Sequence, residues 1–247
     1  HNNGIAGGIV GYASINSNFT GSSVIDCDNV SCTVEAKYEA GGIVGFLYSG
    51  YVEYCRNYGT VISNCAGQTN YAGGICGGSF GTIRYCYNEG TVSGIGANVG
   101  GIAGAPSTVR NCYNIGTLTG GNVGGIAGAD ALGTNIYNSY SAGTLSGSGS
   151  VGNIIGSVML GGTTTKCYYD SKNSEYDGVS GSMDREGKVE SKTTDELCLA
   201  LLDGLSSDDW AIKEPDIKDG KKYLYYPYLK HFGEESVAVG TYRAICK

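Results

Sequence analysis

The 247-residue chain is poor in the residues that carry most catalysis. It has two histidines, His1 and His231, one of them at the extreme end, and a single tryptophan. No HExxH, GxSxG or Walker loop occurs, so zinc peptidase, serine hydrolase and P-loop chemistry have no foothold. Charged residues make up 16% of the chain and the formal net charge is −7. No basic cluster offers a surface to nucleic acid or anionic lipid. No apolar run approaches the roughly 20 residues of a membrane span. Before about Thr193 no segment sustains the 3.6-residue apolar period of a helix. Prolines number three, and the collagen triplet is missing despite 43 glycines. The chain starts at His1 with no methionine or signal peptide, and its first residues already read as repeat. The expectation is a mature fragment of something longer.

What the chain does have is repetition. GGIVG occurs at Gly7–Gly11 and Gly41–Gly45; GGICG follows from Gly73, GGIAG from Gly100 and Gly124, and GNIIG from Gly152. A second motif keeps step: VEYCRNYGTV from Val52, IRYCYNEGTV from Ile83, VRNCYNIGTL from Val109 and IYNSYSAGTL from Ile136. IDCDNV from Ile25 and TKCYYD from Thr165 are degenerate end copies. Successive pentapeptides lie 24 to 34 residues apart. Fixed motifs with variable spacers mark a solenoid whose loops absorb insertions. Short runs of Val, Ile, Thr and Tyr between Gly, Asn and Ser read as strands. Each unit holds three: the GGIxG, VxxC and GTV stretches. The units are too short for propeller blades, and the two-residue Asn-Gly turns of hairpins are absent. The predicted fold is all-β: a parallel β-solenoid of about six coils, with right-handed crossovers favoured. At the sheet spacing of about 4.8 Å the rod would be roughly 29 Å long.

In-register coils turn motif positions into columns. Ile9, Ile43, Ile75, Ile102, Ile126 and Ile154 should form one interior ladder. Cys27, Cys55, Cys86, Cys112 and Cys167 form another, with Ser139 in the fifth repeat. Serine keeps the size but not the ligation, which favours small buried thiols over a metal or redox ladder. No cofactor or metal is expected, since the column offers neither a CxxC cluster nor histidine. Stacked in-register cysteines also sit poorly for disulfides; a bridge among Cys32, Cys65, Cys76, Cys198 and Cys246 is left open. Two residues on, Asn29, Asn57, Asn88 and Asn114 should stack at a turn. Val52 and Cys55, three apart, can both face inward only across a bend or bulge.

Between the cysteines and asparagines runs Asp28, Arg56, Tyr87, Tyr113, Tyr140, Tyr168. Neighbouring strand residues point oppositely, so buried cysteines imply exposed tyrosines. Tyr87, Tyr113, Tyr140 and Tyr168 are therefore the expected ligand-binding stripe, able to stack on sugar or on a protein partner. The plain alternative is cross-rung stacking that only stiffens the rod. A threonine column, Thr60, Thr91, Thr117 and Thr144, could order water, but one threonine per coil is thin support. Asp26, Asp28 and Glu53 are the best carboxylates for a glycan-active site, and Arg56 beside them reads more simply as a surface ion pair.

Composition shifts after about Cys167, which divides the chain into a solenoid at 1–168, a capping segment at 169–233 and a linker or following module at 234–247. Residues 171–191 read as a long polar loop. KTTDELCLALLDG carries a capping box, Thr193 and Glu196, an apolar face of Leu197, Leu201, Leu202 and Leu205, and a stop at Gly204. With Trp210 and the strand KKYLYYPYLKHF it makes a small α+β cap over the open solenoid end.

The GGIVG and CYNxGTV alternation, together with CYYD, TTDEL and YPYL near the end, resembles the GLUG-motif repeats of bacterial surface and secreted proteins. The likeness runs from about Gly4 to Leu229. It implies cell-surface or secreted placement beside other domains, in some members a peptidase that cleaves immunoglobulin A, and it assigns no catalytic residue here. The expected function is a non-catalytic extracellular module: adhesin segment, stalk or scaffold, with a host glycan or extracellular protein as partner. A glycan-active β-solenoid enzyme and a ligand-free spacer are the alternatives.

Overall fold

The computed structural model describes residues 4–14, 22–65, 70–130, 133–159, 161–172, 175–180, 188–218, 221–233 and 243–245. The chain is a parallel β-solenoid of about five turns. One wall stacks six strands: Ile5–Gly7, Glu39–Gly41, Tyr71–Gly73, Asn98–Gly100, Asn122–Gly124 and Val151–Gly152. A second stacks the five threonine-led strands from Thr33–Ala36 to Thr144–Gly147. Fifteen further strands, including Cys76–Arg84 and Ala103–Arg110, join into one long sheet, and the last five described strands form two small antiparallel sheets.

Register follows the motif. Gly41 pairs with Gly73, Gly73 with Gly100 and Gly100 with Gly124. The pentapeptide itself is not a strand, contrary to the sequence expectation: its first glycine ends one strand, and the next two residues turn the corner. The second glycine is there because of crowding, not backbone sign. A Cβ on Gly74 would lie 2.3 Å from the Gly101 carbonyl oxygen and 2.5 Å from the Asn88 amide carbon. Any side chain would push the coils apart there.

Ile43, Ile75, Ile102, Ile126 and Ile154 are fully buried in one core cluster with Val52, Ile83 and the cysteines. Each donates its N–H to the isoleucine carbonyl of the next coil at 3.0 Å, up to Ile126 on Ile154. Ile9 departs from the column's burial. Its N–H bonds Ile43 at 3.0 Å, but its side chain is 53% exposed because no described coil lies beneath it. A second cluster, built on Val61, Val92, Val99, Leu118 and Val123, fills the other lobe of the cross-section.

The bend between Val52 and Cys55 is a column of left-handed residues: Asp26, Tyr54, Tyr85, Asn111, Asn138 and Lys166, all with φ between 49° and 54°. One αL residue reverses the inside–outside alternation, so Val52 and Cys55 are both fully buried. Only Asn and Asp in that column announce the conformation; Tyr and Lys do not.

The stretch read as a polar loop adds to the rod instead. Val189–Lys192 pairs in parallel with Cys167–Asp170, and Val179 bridges Ile155. Val179 and Val189 pack on the end of the main core. This segment covers the rod's end, which frees the helix and aromatic strand for another task. The helix is short, Thr194–Leu199, with the capping box formed. It stops at Ala200, which is extended, well before Gly204. Gly204 instead takes φ 87° in a later turn. Trp210–Ala211 pairs antiparallel with Tyr228–Leu229. Arg243–Ile245, within the stretch expected to be a linker or the start of a following module, pairs with Lys222–Leu224. Cys246 lies outside the described residues.

Candidate functional site

The tyrosine stripe is not a surface. Tyr87, Tyr113, Tyr140 and Tyr168 stack in register as expected, but none is more than 3% exposed. They do point away from the solenoid interior, and the C-terminal segment then closes over them. Leu197, Cys198, Leu205, Trp210, Leu224, Tyr226 and Leu229 share their cluster. The ring planes of Tyr87 and Tyr113 are 7° apart at 4.6 Å, and those of Tyr113 and Tyr140 1° apart at 5.1 Å. Trp210 lies 5.8 Å from both Tyr113 and Tyr140. The phenols are fastened too: Tyr168 donates to the Asp203 carbonyl at 2.7 Å, Tyr140 to the Pro227 carbonyl, and Tyr58 and Tyr87 bond each other. Burial pushes the Tyr113 and Tyr140 hydroxyls well above the ordinary phenol range. Asp170, itself buried, accepts from Tyr226 at 2.6 Å and Thr194 at 2.7 Å and pins both arms of the segment. A row of rings on one flank is a large apolar area, and the chain carries its own cover for it.

The cysteine column is a hydrogen-bonded ladder as well as packing. The N–H of Cys55 donates to Cys86 Sγ and that of Cys86 to Cys112 Sγ, both at 3.4 Å. Cys112 N–H donates to Ser139 Oγ at 3.1 Å. Each side chain then donates to the carbonyl two residues back, as Cys86 does to Arg84 at 3.1 Å and Ser139 to Tyr137 at 2.7 Å. Serine fits because it keeps both roles. Burial first, then the thiol's own side-chain hydrogen bond with Cys112, raises the Cys86 thiol well above its ordinary value, so a reactive thiolate is disfavoured. Cys27, Cys32, Cys55, Cys76, Cys86 and Cys112 form no disulfide. Asparagine forms the parallel ladder: Asn29 donates to Asn57 at 2.9 Å, Asn57 to Asn88 at 2.7 Å and Asn88 to Asn114 at 2.8 Å.

Of the three carboxylates of the first coils, Asp26 and Asp28 line one small pocket with Tyr54, Arg56, His231 and Phe232, and Glu53 does not join them. Arg56 Nε donates to Asp28 at 2.7 Å, and Arg84 pairs with Glu53 at 2.9 Å. His231 Nε2 meets Asp26 at 2.7 Å, with its ring stacked 4.0 Å from that of Tyr54. Sequence reasoning missed Glu89. Burial raises its carboxyl to about 8, against the pull of Arg56.

It also missed the aromatics that are exposed. Tyr12, Tyr48, Tyr51 and Phe80 are open on the outside of the first three coils, with Phe46 half-buried among them. The signal was present: Tyr12 and Phe46 directly follow the first two pentapeptides, and they pair in register.

Among the described residues no helix is long and apolar enough to cross a membrane. No curated protein matches the chain. A solved structure described as a "putative immunoglobulin A1 protease" from Bacteroides ovatus shares the fold, with a TM-score of 0.56 at 22% identity, over 91% of this chain and 74% of that one. Residues 68–93, which hold the GGICG corner and the IRYCYNEGTV strand run, match the family described as the GLUG motif. The chain is a parallel β-solenoid whose residues 68–93 match the GLUG motif.

Proposed function

We propose that the chain is a rigid, non-catalytic repeat module of a bacterial surface or secreted protein, acting as a stalk or scaffold. The observation that carries this reading is the unbroken in-register ladder with its C-terminal segment zipped along the flank. Weak single coils gain stiffness only from their neighbours, and here a second layer ties the coils from Tyr87 to Tyr168 together. The GLUG match and the Bacteroides fold neighbour support the extracellular placement. The glycan-active enzyme finds less support, because Asp26, Asp28 and Glu53 each have a cationic or histidine partner.

The test has two arms. Antibody against the chain should label intact cells of the producing bacterium, or the culture medium, without lysis. Incubation with a panel of polysaccharides should release no new reducing ends and no unsaturated products. Label found only after lysis, or steady product release, overturns the reading.

A further inference from the structure

Four aromatic rings on the outer face of the first three coils touch in series. Tyr12 stacks on Phe46, centroids 5.6 Å apart and planes at 14°. Phe46 meets Phe80 edge to face at 5.3 Å, and Phe80 meets Tyr48 at 5.5 Å. Tyr51 follows, with the Arg84 guanidinium 4.8 Å from its ring centre. Tyr12 is 53% exposed, Tyr48 50%, Phe80 49% and Tyr51 42%. The buried tyrosine row shows what this chain does with a ring stripe that needs cover. Here, among the described residues, half of each ring stays open.

Three features narrow the partner. Val44–Leu47, which carries Phe46, is hydrogen-bonded on both sides, to Val10–Ala13 and to Cys76–Arg84, and Gly50–Glu53, which carries Tyr51, lies between Ser22–Ile25 and Cys76–Arg84, so an added strand finds a free edge only at Val10–Ala13, beside Tyr12, and not along the rest of the shelf. The Arg84 guanidinium that lies over Tyr51 is paired with Glu53 at 2.9 Å, so a charged partner finds no unpaired counter-charge there. The phenols of Tyr12, Tyr48 and Tyr51 hydrogen-bond to no described residue, and a purely apolar partner would bury them unpaired at a cost. What remains is a partner with flat C–H faces, hydroxyl edges and no charge. A pyranose polymer has that make-up, and aromatic rings with polar tips suit such a surface.

We propose that the shelf of Tyr12, Phe46, Tyr48, Tyr51 and Phe80 binds a neutral polysaccharide. The strand runs along the rod axis over the first three coils, a span of roughly 10 Å. Sugar rings lie on the exposed aromatic faces, and their hydroxyls bond the three phenols. The proposal rests on the extracellular module reading, since that is where such polymers are met.

The test is affinity electrophoresis of the whole chain in gels containing β-glucan, xylan, galactomannan or starch. At least one should retard it, and added salt should change the retardation little. The double variant Tyr48→Ser, Phe80→Ser should bind at least 10-fold more weakly, with its circular dichroism and Trp210 emission unchanged. Because both side chains are exposed, the fold should survive; Tyr12→Ser is the substitute should the double variant misfold. Retardation by none of the four, or equal retardation of the variant, overturns the proposal. Self-association that the double variant abolishes, without retardation by any glycan, overturns it in favour of a contact between copies. None of these results alters the cell-surface labelling above, so the two readings fail separately.

Discussion

Truncation of Tyr113 separates a structural flank from a binding surface. Tyr113 is 2% exposed and lies between Tyr87 at 4.6 Å and Tyr140 at 5.1 Å, with Trp210 at 5.8 Å. Removing a buried aromatic ring costs about 3–5 kcal/mol. Each stacked pair lost adds about 0.5–1.5 kcal/mol, partly counted already in the burial. A cost of about 4 kcal/mol for Tyr113→Ala is therefore expected, a large share of the roughly 5–15 kcal/mol that holds a domain. Trp210 is the only tryptophan in the chain, so its emission reports the docking of the C-terminal segment directly. In urea titrations its transition should move down by about 2 M for a slope near 2 kcal/mol/M. The change in backbone dichroism should follow at higher urea, as expected where stability is a sum over neighbouring units. Ile95→Ser, at a side chain 68% exposed, is the control and should stay within about 0.5 kcal/mol. A Tyr113→Ala midpoint that matches this control, with Trp210 emission unmoved, would refute the covered flank and restore the tyrosines as a free surface.

Other consequences can be measured with the same titrations. Asn88→Ala removes the ladder bonds to Asn57 Nδ2 and Asn114 Oδ1 inside the rod and leaves each with one longer local bond, to the Gly59 carbonyl at 3.4 Å and from the Gly116 N–H at 3.2 Å; it should cost about 1–3 kcal/mol, and a loss under about 0.5 kcal/mol would mean the ladder is ornamental. Asn138→Val puts a β-branched side chain at φ 49° and should cost at least about 1–2 kcal/mol, whereas Asn138→Gly should be nearly neutral. Glu89 keeps its proton in the folded chain up to about pH 8, while the unfolded chain gives it up near its ordinary value. Its contribution is therefore complete below that ordinary value and is lost as pH rises through about 8. Discounted for its partial exposure, the loss between pH 5 and pH 9 should be about 2–3 kcal/mol. Glu89→Gln should flatten that slope, and an unchanged slope would place the group elsewhere.

Much of the architecture could be read from order alone. Motif spacing gave the rung length, and the isoleucine, cysteine and asparagine columns followed once like positions were stacked. Alternation also correctly turned Tyr87, Tyr113 and Tyr140 away from the solenoid interior. It could not tell outside from exposed, because what covers a flank lies more than 80 residues further on, as Tyr140 and Pro227 illustrate. The left-handed column was hidden for a different reason. At Tyr54, Tyr85 and Lys166 the residue type argues against the conformation, and only the demand that Val52 and Cys55 both face the core imposes it.

The sequence by itself determined the repeating unit, the parallel stacking and the identity of each ladder, because a residue one coil away is chosen by the same local pattern. Tertiary structure alone decided which aromatic stripe is core and which is surface. That choice depends on where a distant segment docks: the Trp210 segment found the Tyr87–Tyr168 flank, and among the described residues nothing covers Tyr12, Tyr48 and Phe80. Burial is a property of pairs of segments, and no single segment's composition encodes it.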